Sequence, residues 1–106
     1  MAKRKVQLEV VWSHSAEIQF QSILEYWLER NQSPTYPQKL AEAIWDRIEF
    51  LREFPESAKL TDHPHTRNAV LGHYSILYKI KSNTLYISAI WDNRDNPKKL
   101  IRLLKK

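Results

Sequence analysis

A mixed α+β fold is what this 106-residue sequence predicts, and three observations carry the reading. Residues Val6 to Trp12 alternate apolar and polar at period two. Two stretches between Ala16 and Leu51 then carry apolar residues at helical spacing. From Ala58 onward that spacing gives way to short alternating runs broken by turn residues.

Each element has its own reason. In the first strand Val6, Leu8, Val10 and Trp12 share one face and Gln7 and Glu9 the other, the pattern of a half-buried strand. Ser13 caps the next segment, where Ala16, Phe20, Ile23, Leu24, Trp27 and Leu28 recur at helical spacing until Asn31. Asn31 to Pro34 break the chain. Tyr36, Leu40, Ile44, Ile48 and Leu51 then mark a second helix that ends at Phe54-Pro55. Pro34 and Pro37 are tolerated near its start because first-turn amides have no intrahelical acceptor. So short a loop packs the two helices as an antiparallel hairpin.

Three strands follow, Arg67 to Leu71, Tyr74 to Lys81 and Thr84 to Trp91, as an antiparallel meander. Gly72, the only glycine, falls at the first turn, where a left-handed conformation is expected. Ser82-Asn83 makes the second, with Asn83 expected to take the positive φ. Asn96 caps a last short helix with Pro97 at its first position and Leu100, Ile101 and Leu104 inward. The predicted fold is thus β-α-α-β-β-β with a short C-terminal helix. The sheet is antiparallel-rich, the helical hairpin covers one face, and the last helix sits at the edge.

Composition narrows the function. With 42% hydrophobic residues and 4 Trp the chain folds around one core rather than staying disordered. The absence of cysteine removes a disulfide framework, thiol catalysis and thiolate zinc sites. No apolar run reaches the ~20 residues of a membrane span, and no secretory signal opens the chain, so a soluble cytoplasmic protein is expected. Seventeen Lys plus Arg against twelve Asp plus Glu give +5, a field that favours polyanions or an acidic partner. Lys3, Arg4 and Lys5 lead the chain, and Lys98, Lys99, Arg102, Lys105 and Lys106 end it. Glu42 to Glu56 is net acidic.

The stretch Trp91 to Leu100 carries the sharpest functional signal, because an apolar strand there turns abruptly into a charged loop and a basic helix. Arg94, just past the strand end, is placed to offer a fixed guanidinium to a phosphate or carboxylate. Its neighbours Asp92 and Asp95 also admit a purely local ion pair. Metal-independent RNA cleavage needs a base, an acid and cations, and His65, Arg67, His73 and Arg94 supply those residue types. Arg67 either holds a phosphate or pairs with Asp62. His63 flanks Pro64 in a loop, where histidine is mostly solvated surface, and the three histidines lack a carboxylate spacing that would support a metal; neither metal nor cofactor is expected. Were Lys98, Lys99, Arg102, Lys105 and Lys106 to neutralise five phosphates, log affinity would fall with log salt at a slope of about 4.5. Tyr74, Tyr78, Tyr86 and Trp91 read first as strand core and second as base-stacking rings. Trp45 lies off the second helix's apolar stripe and marks an exposed contact patch, for a partner protein or a second copy of the chain.

Taken in order, Trp12-Ser13 with Ala16, Leu40 to Leu51 ending in Phe54-Pro55, Tyr74 to Ile80, and Ile90 to Pro97 resemble the RelE/ParE superfamily of small bacterial type II toxin-antitoxin toxins, which includes plasmid stabilisation proteins. The resemblance covers residues 1–106 as one domain. It implies a growth inhibitor neutralised by a cognate antitoxin whose tail wraps the toxin's basic surface, with the target either DNA gyrase, as in ParE relatives, or ribosome-bound messenger RNA, as in RelE relatives. Carried over residue by residue, only Arg94 matches. The RelE-like branch has arginine where this chain has Ser75, and a tyrosine or similar group where it has Leu100. The resemblance therefore favours the ParE-like branch, gyrase-directed or of unassigned target. The alternative is a RelE-type, ribosome-dependent endoribonuclease using His65, Arg67, His73 and Arg94. A double-stranded RNA module is disfavoured because such domains begin with a helix, not a strand.

Overall fold

The computed structural model describes residues 7–105. Lys3, Arg4, Lys5, Val6 and Lys106, named above, lie outside them. The elements in order are β1 (Glu9–Trp12), α1 (His14–Asn31), α2 (Thr35–Glu53), β2 (Lys59–Leu60), β3 (Thr66–Leu71), β4 (Tyr74–Lys81), β5 (Thr84–Asp92) and α3 (Pro97–Leu104). One sheet runs β1-β5-β4-β3-β2; β1 is parallel to β5 and every other pair is antiparallel. β2 adds a strand to the expected three. Its two residues are too few to show alternation.

Local chemistry sets the boundaries. Ser13 Oγ accepts from the Ala16 amide at 2.9 Å and starts α1. Gln32, left-handed at φ 54°, returns its amide to the Leu28 carbonyl and ends it. Both β-hairpins close on two residues, and in each the first carries positive φ: Gly72 at 61° and Ser82 at 55°. That is the requirement of a type II′ turn. The expectation of positive φ at Asn83 is thereby corrected, since this turn needs it one residue earlier.

The main core lies between the sheet and the hairpin. Ala16, Leu40, Ile44, Ile48 and Leu51 meet Ala69, Tyr74, Ile76, Tyr78, Leu85, Ile87 and Ile90, all buried. A bulge then changes the sheet's other face. Leu77 opposes Ala89 and Tyr78 opposes Ile87, so Ser88 is extra and the side-chain parity of β5 flips beyond it. Without it Ala89 and Trp91 would follow Leu85 and Ile87 into the main core. Instead they join Leu77 in a second core on the opposite face, covered by Leu100, Leu103 and Leu104 of α3. The last helix thus lies over a face rather than at the edge, and Ile101 is 51% exposed where Leu103 turns inward.

Candidate functional site

Strand pairing builds the site at one end of the sheet. Tyr74 opens β4 directly opposite Asp92, the last residue of β5, and the chain then turns through Asn93 to Asp95 before Asn96 caps α3 through the Lys98 amide. Asp92 takes Arg94 in a fork, Nε to Oδ1 and Nη2 to Oδ2, each at 2.9 Å, and its Oδ1 also accepts the Arg94 amide. Behind the guanidinium stands Tyr74, 3% exposed; its hydroxyl accepts from Trp27 Nε1 at 2.7 Å and from Arg94 Nη2 at 3.4 Å. The Tyr74 ring lies 5.9 Å from the guanidinium carbon. Trp27 is flanked edge-on by Tyr26 and Tyr36, each at 5.0 Å between centroids.

Two roles follow from this geometry. Asp92 fixes the plane of Arg94 through Nε and Nη2 while the arginine side chain stays 49% exposed, and Nη1 takes no part in the fork. The two acids shift for different reasons. Hydrogen bonding from Arg94 holds the Asp92 carboxyl below the usual carboxylate range, and burial pushes the Tyr74 hydroxyl above its ordinary value. Asp95 is not part of the fork; it lies 3.7 Å from Lys99.

The other expected residues are divided by the fold. His73 shares the Arg94 end, in the turn before Tyr74, and its carbonyl accepts the Asn93 amide. His65 and Arg67 lie at the other end of β3, where Thr66 pairs with Lys79. Five strand steps separate the two ends, about 17 Å. Arg67 is not paired with Asp62: its Nη1 donates to the carbonyls of Glu56 and Ala58, pinning the chain that leads into β2. His65 is an exposed turn residue with φ 59°. Among the described residues no three His, Cys, Asp or Glu side chains are placed to hold a metal, and no helix is long and apolar enough to cross a membrane.

Lys98, Lys99 and Arg102 are exposed on α3, across the sheet from the Trp27 side. Trp45 is 45% exposed and packs against Trp12 and Phe20, at 5.4 and 6.5 Å between ring centroids. These rings floor a groove of about 330 Å³ with Leu24, rimmed by Glu17 and Gln21. Leu24 also lines an adjoining cleft of about 250 Å³ with Leu28, Pro34, Pro37 and Ala41. The exposed patch inferred at Trp45 therefore runs along the outer side of the hairpin. Of the rings weighed as stacking groups, Tyr74, Tyr78 and Trp91 are core, and Tyr86 is 39% exposed.

Residues 10–97 match the family described as "ParE toxin of type II toxin-antitoxin system, parDE". The chain belongs to the ParE toxin family. No curated protein sequence matches it. Solved structures share the fold of this ParE-family chain. A chain of the chromosomal ParDE toxin-antitoxin system from P. aeruginosa superposes with a TM-score of 0.70 at 16% identity, over 81% of this chain and 96% of that one. A chain of the RelBE2 toxin-antitoxin complex from Mycobacterium tuberculosis gives 0.59 at 18% identity, over 89% and 100%. Ser75 and Leu100 both serve the fold of this ParE-family chain. Ser75, 1% exposed, bonds the Asn93 side chain at 2.9 and 3.2 Å, and Leu100 packs into the α3 core.

Sequence reasoning raised a local ion pair of Arg94 with Asp92 and Asp95, of which the structure forms only that with Asp92; it missed the donor role of Trp27 and the pairing of Trp12 and Phe20 with Trp45. Apolar spacing marks Trp27 and Phe20 as core and cannot show which polar tip a ring offers.

Proposed function

We propose that this toxin inhibits growth by binding, in the ParE manner, and that its target in the cytoplasm is DNA gyrase or one not yet assigned. A cognate antitoxin neutralises it, seating on the hairpin groove at Trp45. Arg94, Lys98, Lys99 and Arg102 are contacts for target or antitoxin. The observation that supports binding over cleavage is the division of the histidines and arginines. A proton donor, a proton acceptor and a phosphate cation must meet within hydrogen-bond reach of one substrate, about 3 Å each. His65 with Arg67 and His73 with Arg94 stand about 17 Å apart along β3.

Induced expression followed by gyrase supercoiling and primer-extension assays tests the reading. Gyrase inhibition with intact messenger RNA, relieved in Arg94→Ala, is the expected result. Ribosome-dependent cuts that vanish in Arg94→Ala would replace it with the RelE-type endoribonuclease.

A further inference from the structure

The two covers of the sheet carry opposite charge. Between residues 14 and 53 the hairpin holds seven Asp and Glu against four Lys and Arg, whereas α3 holds no acidic residue at all. Because α3 turns Leu100, Leu103 and Leu104 inward, Lys98, Arg102 and Lys105 fall at helical spacing along its outer side, all exposed. None of these three side chains has a carboxylate partner among the described residues, while Lys99 lies 3.7 Å from Asp95. Lys98 also stands in the first turn of α3, where the unpaired amides already carry positive charge. Folding alone would favour an acid there.

Strand parity carries the charge past the helix. Lys79 and Lys81 follow Leu77 along β4 at two-residue steps and so share the face that α3 covers. Lys79 lines a recess of about 180 Å³ with Ser13, Ser15, Ser88, Leu103 and Leu104, which joins the end of α3 to the strand as one surface. No acid lines the recess, and Lys79 has no hydrogen-bond or ion-pair partner among the described residues. Glu9, in register with Thr84, is the one acidic residue that the described strands place on this face. Rings are scarce there: Trp91 is 8% exposed beneath α3, and Tyr86 is 39% exposed. A single strand is held largely by stacking its bases on open rings, whereas a duplex presents its phosphates. The face suits the duplex.

We infer that the α3 face binds the phosphate backbone of duplex DNA through Lys79, Lys81, Lys98, Arg102 and Lys105. The recess at Lys79 seats one phosphate, with the Ser15 and Ser88 hydroxyls as further donors. Repulsion between DNA and the acidic hairpin fixes the direction of approach and leaves the Trp45 groove clear. The inference deepens the proposed function and rests on it for DNA over duplex RNA, since gyrase holds such a duplex.

The test uses the full chain and a fluorescein-labelled twenty-base-pair DNA duplex of mixed sequence, read by anisotropy between about 50 and 200 mM salt. Five phosphate contacts predict that log Kd rises with log salt at a slope of about 4.5. Lys98→Gln with Arg102→Gln should lower the slope to about 2.7 and weaken binding more than about tenfold at low salt. Lys79→Gln with Lys81→Gln should do the same from the strand, so the inference does not hang on α3 staying folded. Arg30→Gln with Lys39→Gln removes equal charge from exposed positions of the hairpin and should change neither quantity. Absent binding, an equal loss in the hairpin double, or tighter binding of a single strand or of duplex RNA overturns the inference. Preference for phosphatidylglycerol vesicles over DNA also overturns it and would make a membrane surface the occupant. Gyrase supercoiling is scored separately: DNA binding without gyrase inhibition sinks the proposed target and leaves this inference standing, and inhibition without DNA binding does the reverse.

Discussion

Arg94 keeps its charge in the open while Asp92 fixes its shape from behind. Because an exposed ion pair contributes little to folding, Arg94→Ala should unfold thermally at nearly the parent temperature while losing toxicity. A large drop in Tm would make the arginine structural instead. Trp27→Phe keeps one aromatic ring but removes the indole N–H donor to Tyr74 and some of the packing, which should cost at least about 1 kcal/mol in denaturant unfolding. The Asp92 carboxyl sits below its unfolded value, so its contribution is complete above about pH 4 and fades as acid protonates the folded form. The stability gap between parent and Asp92→Asn should therefore be constant from neutral pH to about pH 4 and close below it. A gap that persisted in acid would assign the effect to packing.

At the scale of elements, turns and caps carry costs that single substitutions expose. A methyl group on Gly72 meets nothing within 4 Å, yet φ is 61°, so Gly72→Ala should cost about 1 kcal/mol through backbone strain alone. Ser13→Ala removes the α1 cap and a bond to the Ser88 carbonyl, and should cost about as much again, roughly 1 kcal/mol. Both are read by urea titration. Much of this level was legible in the sequence: the Ser13 and Asn96 caps, the Phe54-Pro55 stop and the Gly72 turn follow from local chemistry. The bulge at Ser88 was not, because nothing in Leu85 to Trp91 marks where the partner strand skips a residue. The inward turn of Leu103 in place of Ile101 follows from it, since α3 settles over a face that the bulge creates. The candidate site was half legible. Arg94 stood out by its charge at a strand end, but its link to Trp27 and Tyr74 spans most of the chain. Conversely, His65 and His73 are close in sequence and are held apart by a full strand.

The whole molecule is a sheet with two unequal covers. The hairpin buries the larger core, and α3 alone shields Leu77, Ala89 and Trp91. Ile48→Ala, at a fully buried position of the larger core, should cost about 2–5 kcal/mol in chemical unfolding. Ending the chain after Asn96 should leave the hairpin core folded while red-shifting Trp91 fluorescence; an unchanged spectrum would mean that α3 does not cover the ring. The parallel pairing of β1 with β5 has a further result for how the toxin comes into being. Trp12 pairs in register with Ile87, and the Ser13 to Ser88 bond joins residues 75 apart. At ordinary synthesis rates the early strand waits roughly 4–15 s for its partner. During that interval the nascent chain has neither a finished sheet nor a framed Arg94, so the candidate site exists only once the last third has emerged.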